Sequence, residues 1–239
     1  DISYVNFKYA KIIDFIPGRS SFRGADFSYC TIDQFKSITN GPPKIHFTNT
    51  KFFGTKIIDS HFINAEFFST DFNEAEIKNT RFDSSTFQNV TFVKAKMENV
   101  YFISEWYTGD FSFSIFKKTQ IIGKNFYNVK FRNANITDSV IYVENSNNLD
   151  FSNSNLIRTE LVPSKFINYN FINANLTGSS FGNRYSVEVI LTNVNFTNAN
   201  LTNVNFHKAK FNNVIFKNAD MTGAKLERKW YEYVKKQGV

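Results

Sequence analysis

Apolar residues recur along this chain every five positions. From Phe47 the series runs through Phe52, Ile57, Phe62, Phe67, Phe72, Ile77, Phe82, Phe87, Phe92, Met97 and Phe102 without a polar member. The same phase reaches back to Ile2, failing only at Pro17, Ser37 and Pro42. It slips once after residue 102 and resumes from Phe111 to Leu226, with gaps at Ser146 and Ser186. Before the slip 18 of 21 slots are apolar and after it 22 of 24, in a chain that is 42% hydrophobic. These slots hold 24 of the 29 phenylalanines, so the period is the dominant fact about the sequence.

A second position repeats with the first. Two residues before each centre stands something small or β-branched: Thr55, Ser60, Ala65, Ala75 and Val90, then Val194, Ala199, Val204 and Ala209. An α-helix would smear these residues around its axis, and a flat strand alternates faces at every residue, so neither holds a five-residue period. A bend in each unit resolves the conflict, with the centre and the small residue both pointing inward.

Ala25-Asp26-Phe27, Ala134-Asn135-Ile136, Ala174-Asn175-Leu176, Ala199-Asn200-Leu201 and Ala219-Asp220-Met221 resemble the unit of the pentapeptide-repeat family, with Phe preferred over Leu at the centre. The resemblance implies an all-β fold, a right-handed quadrilateral parallel β-helix in which four pentads close a coil of about 20 residues. At the inter-strand spacing of about 4.8 Å, roughly 11 coils make a rod about 50 Å long. It spans residues 1–226. Beyond it, 227–239 has no pentad, and Leu226, Trp230, Tyr233 and Val234 share one helical face, which predicts a capping helix or a linker.

Irregular segments are expected near 38–44, 103–110 and 183–190, and in repeat proteins such breaks carry specificity. The first contains Gly41-Pro42-Pro43 and reads as a looped-out coil. The second, read as a loop, offers Glu105, Trp106 and Tyr107 as binding residues, because large exposed rings on a rigid scaffold make good contact points; the competing reading folds them back over a coil edge. The third offers Arg184 and Tyr185. One residue after the centre, Phe53, Ile58, Ile63 and Phe68 follow one another for a full circuit and predict an apolar belt; Ile157, Val162, Ile167 and Ile172 predict another. Lys36, Lys56, Glu76 and Lys96, spaced by 20, are expected to stack as neighbours.

The formal net charge is +7, spread over scattered lysines. Cys30 alone cannot form an internal disulfide, and the compartment stays open between the cytosol and secretion as an effector. His46, His61 and His207 show no metal-ligand clustering, no phosphate-binding glycine loop is present, and a filled coil offers no catalytic cavity. Catalytic residues, metals, cofactors and small-molecule substrates are therefore not expected. Asp1-Ile2-Ser3-Tyr4 reads as a start inside a longer product or after processing. The resemblance includes gyrase-protecting relatives that imitate DNA with an acidic rod, a role the positive charge disfavours. The expected function is a protein-interaction or scaffolding rod, such as one domain of a larger bacterial protein. Nucleic acid, an anionic membrane and a second copy are the alternative partners.

Overall fold

The bend that a five-residue side needs is supplied in most units by one residue, two positions after the centre. In a computed structural model of the chain, which describes every residue except 19, 38–43, 164 and 183–187, that residue takes a left-handed backbone: Asn79 at φ 48°, Asn99 at 54°, Asn153 at 56° and Asn198 at 57°. Asn is among the few L-residues that tolerate this region, because its short amide can bond locally. Many corners close as a four-residue turn in which the small residue donates its N–H to the carbonyl of the preceding centre. Examples are Ala75 to Phe72 at 3.1 Å and Ala199 to Phe196 at 3.0 Å.

Four such sides make a coil, and the coils pair in parallel. On one side the ladder climbs through Asn6, Asp26, Lys51, Asp71, Thr91, Asp110, Lys130, Asp150, Asn170, Asn195 and Ile215, eleven levels of a quadrilateral β-helix. Behind it runs one phenylalanine column from Phe7 through Phe27, Phe52, Phe72, Phe92, Phe111, Phe131, Phe151, Phe171 and Phe196 to Phe216. Neighbouring rings are stacked, for instance at 4.7 Å between Phe131 and Phe151 and 5.3 Å between Phe196 and Phe216. The ring spacing follows the backbone spacing of parallel strands, so pairing and stacking reinforce each other. The other sides stack aliphatics and further rings, and the described centres from Phe22 to Phe216 are buried, the serines at 37 and 146 included.

Polar residues at the inward small position are hydrogen-bonded. Thr50 and Thr55 donate to the carbonyls of Phe22 and Phe27 one coil away, at 2.8 and 2.6 Å, and Thr159 donates to Ile136 at 2.8 Å. Where a serine occupies a centre, a larger inward side chain nearby fills the gap. Phe35 stands two before Ser37 and stacks on Phe62 at 4.5 Å. Tyr169 reaches the space beside Ser146 and donates its hydroxyl to it at 2.7 Å; burial pushes the Tyr169 phenol well above its ordinary pKa.

Ladder steps of 25 residues at Asp26–Lys51 and Asn170–Asn195 show that two coils carry an extra pentad's length, between residues 36 and 46 and between 180 and 190. The inserted stretches, with Arg184 and Tyr185, lie outside the described residues. The first insertion also shifts the register, so Lys36 sits beside His61 on a different side, and Thr31 is the neighbour of Lys56. The expected four-member charge column is therefore a three-member one, Lys56, Glu76 and Lys96, with Lys96 Nζ 3.1 Å from Glu76. Past Leu226, a turn of 3-10 helix at Arg228–Trp230 leads into α1 (Tyr231–Lys235).

Candidate interaction surface

At one corner the bend disappears. Beside the still-bent β1 (Arg81–Thr91), the chain runs straight through it in β2 (Tyr101–Asp110), β3 (Gln120–Tyr127) and β4 (Val140–Asn147), which pair in that order. Ser84 in β1 still has the left-handed backbone, whereas Ser104, Gly123 and Val143 at the equivalent slot do not. Strand alternation takes over: Phe102, Ser104 and Trp106 point in, while Ile103, Glu105 and Tyr107 point out.

The slip after residue 102 is thus a four-residue side, 103–106, whose centre is Trp106. This corrects the expectation of a loop and of an exposed Trp106. The indole is fully buried, 4.1 Å from Phe87 and parallel to it, in register with Phe87 and Phe126. The small slot that follows is Gly109, where even a Cβ would lie 3.4 Å from the indole. The large ring and the missing side chain balance in volume. The indole N–H has no hydrogen-bond partner, so its place in the core rests on packing alone. Gly123 is demanded by close approach, since a Cβ there would meet the Ser104 carbonyl at 2.5 Å.

Outward residues of the straightened strands line up in rows. Ile103, Ile122 and Tyr142 are in register across β2, β3 and β4; Ile103 and Tyr142 are each 39% exposed. Beyond them come Glu105, Lys124 and Glu144, and together these side chains line a groove of about 460 Å³. No ion pair joins Glu105, Lys124 or Glu144 to a described residue, whereas Lys44 at the groove's rim is held by Glu66 at 2.9 Å. Tyr107, 40% exposed, lies within 3.4 Å of Glu105 through its hydroxyl, and Tyr127 is exposed beside Asn147. Apolar side chains in register, flanked by charges without counter-ions, form a surface ready to be covered.

Other singled-out residues fall elsewhere. Phe53, Ile58, Ile63 and Phe68 are half-buried, one on each of four successive sides, so a partner on one side meets only one of them. Tyr29 packs edge-on over Phe53 at 5.5 Å. His46 and His61 face Glu66 and Asp83 at 2.9 and 2.6 Å, and among the described residues no group of His, Cys, Asp and Glu could hold a metal ion. Cys30 is buried, its thiol donating to the Phe7 carbonyl at 2.6 Å, and desolvation pushes its pKa up. No described helix is long and apolar enough to cross a membrane.

Fold and surface define a class: a filled parallel β-helix of five-residue sides whose variable features are all on its outside. The family model for pentapeptide repeats matches residues 147–183 and 190–228 in eight copies, so this stretch of the chain carries that family's repeat. Among solved structures, a trypsin-treated variant of QnrB1, a plasmid-mediated fluoroquinolone resistance protein, is 18% identical over 97% of this chain and 98% of its own, with a TM-score of 0.43. HetL, involved in heterocyst differentiation regulation in the cyanobacterium Nostoc sp. strain PCC 7120, is 15% identical over 92% of this chain and 89% of its own, with a TM-score of 0.36. No curated protein matches the chain.

Proposed function

We propose that this protein is a non-catalytic rod that holds another protein against the straightened corner formed by β2 to β4. One observation carries the reading: at this corner Ser104, Gly123, Val143 and Pro163 lack the left-handed backbone kept at most other corners, and three of these coils present an outward row of Ile103, Ile122 and Tyr142 beside Glu105, Lys124 and Glu144. Many corners elsewhere present Asn, whose amides are already joined to their neighbours along the ladder. A change of backbone that yields exposed apolar surface costs stability in an isolated molecule and is recovered when a partner excludes water there.

The test uses a photo-activated cross-linking residue placed at Tyr142, at Tyr107 or, as control, at Asn198 in a regular coil. Protein adducts at the first two positions and none at the third are expected. The double change Ile103→Asp and Tyr142→Asp should abolish adducts formed through position 107 while leaving the melting temperature nearly unchanged. Adducts of equal yield at position 198, or adducts that survive the double change, contradict the assignment.

A further inference from the structure

We infer that the C-terminal end of the rod is a docking surface for an anionic lipid bilayer, separate from the straightened corner. The positive charge is concentrated there. Residues 207–239 hold eight Lys and Arg against Asp220, Glu227 and Glu232, a surplus of five in a chain whose formal charge is +7. The preceding 206 residues hold 20 cations against 18 carboxylates, and many of those are tied in ion pairs such as Arg132–Asp150 and Arg158–Asp138.

At the end itself, Lys217, Lys225, Arg228, Lys235 and Lys236 are exposed and pair with no described carboxylate. Lys217 and Lys225 stand beside Phe216 and Leu226, on two different sides of the last coil, and the other three sit on the segment that closes it. That segment turns Trp230, Tyr233 and Val234 toward the core and leaves Tyr231 outside, 52% exposed.

Shape selects among anions. A nucleic acid needs cations along a groove or stripe that follows its phosphates; here they ring a blunt end. A flat surface of anionic headgroups can meet all of them at once, and a tyrosine with an apolar body and a polar tip belongs at that depth. Each lysine or arginine near such a surface strengthens partition roughly fivefold, and the attraction decays within a Debye length.

Sedimentation of the intact chain with phosphatidylcholine vesicles, with and without phosphatidylserine, tests this. Binding is expected only with phosphatidylserine. Raising the salt from about 0.1 M to about 1 M, which shortens the Debye length from about 10 Å to about 3 Å, should release the protein. The triple variant Lys225→Glu, Lys235→Glu and Lys236→Glu should bind more than about a hundredfold more weakly with an unchanged far-UV spectrum. Equal changes at Lys11, Lys51 and Lys56 should do much less. Equal binding to neutral vesicles, no binding to anionic ones at low salt, or preference for duplex DNA over the anionic vesicles overturns the inference.

Discussion

At the scale of the residue, the role of a side chain here is set by which of five places it holds. Trp106 holds a centre, so its removal should act on stability. Trp106→Ala is expected to cost about 3–5 kcal/mol, the range for emptying a large aromatic site in a core. Trp106→Phe loses some volume but also removes an N–H that is buried without a partner, and such an orphan costs about 1–3 kcal/mol, so the two effects offset and the variant should stay close to the parent in urea titration. Tyr107→Ala, two-fifths exposed, should change stability by less than about 1 kcal/mol. The same logic separates neighbours: Phe206→Asp should unfold the rod locally, whereas Asn205→Asp on the outside should be near neutral, as thermal melts of the pair would show. Charged pairs respond to pH. The Arg158 guanidinium donates to both oxygens of Asp138 at 2.7 and 2.9 Å and holds its carboxyl below the usual carboxylate range. Because the folded pKa is lower than the unfolded one, the pair stabilises the fold at pH values above the unfolded pKa and stops doing so as the pH falls through the folded one. Asp138→Asn should therefore melt slightly below the parent at neutral pH, with the difference vanishing in acid below the carboxylate range.

At the scale of the element, the corner residue decides whether the chain turns. Asn173 is left-handed at φ 57° and is joined to Asn153 at 2.9 Å and to Asn198 at 3.1 Å by side-chain amides. Replacing it with Val forces a β-branched residue into that region and breaks the amide ladder, a loss of about 1–2 kcal/mol for the backbone alone, measurable in urea titration. At the straightened corner the requirement is opposite, and Val143 is already β-branched, inward and extended. Gly123→Ala should be the damaging change there, because the added methyl meets a carbonyl in the adjacent strand. Much of this was legible in the sequence. The five-residue period named the core from Phe47 to Leu226, and the small partner at Ala199 or Thr55 named the inward companion. The straightened corner leaves one mark in the sequence: Ser104 and Val143 stand where Asn or Asp is usual. A count of fives from the centre at 102 to the one at 111 leaves Trp106 without a slot, so the strand there looks like a loop. Ile122, Tyr142 and Glu144 could be joined to Glu105 only once the register across β2, β3 and β4 was known, because the four-residue side shifts every later number by one. The column expected at Lys36 failed for the same reason, an insertion whose length fits the period and so leaves no trace in it.

At the scale of the whole molecule, each coil is held by the coils above and below it, so the two ends are the places where the stack has only one neighbour. The ends differ. In the first coil Phe7 stacks on Phe27 at 4.7 Å, Ile2, Ile12 and Phe15 are only partly buried, and Tyr4 and Tyr9 are exposed. The last coil is closed by the segment containing α1. Trp230 lies 5.0 Å from Phe211 and donates its indole N–H to Ala209 at 2.8 Å, the Tyr233 hydroxyl donates to the Val214 carbonyl at 2.8 Å, and Gln237 accepts from the Phe216 amide at 2.7 Å. Those bonds satisfy backbone groups that would otherwise form an open sheet edge, the part of a β-structure most apt to pair with another chain. Opening in a stacked fold starts from the less supported end, so amide exchange should be fastest in residues 1–16 and slow at Val214 and Phe216. Trp230→Ala removes part of that cover, an apolar contact and a hydrogen bond worth about 1–3 kcal/mol together. Exchange at Val214, Phe216 and Lys225 should then accelerate about tenfold or more, while the amides of Phe72 and Phe92 in the middle of the rod keep their parental rates. Uniform acceleration along the rod would mean that the closing segment supports the stack as one cooperative unit. No change at Val214 and Phe216 would mean that the last coil holds without its indole cover.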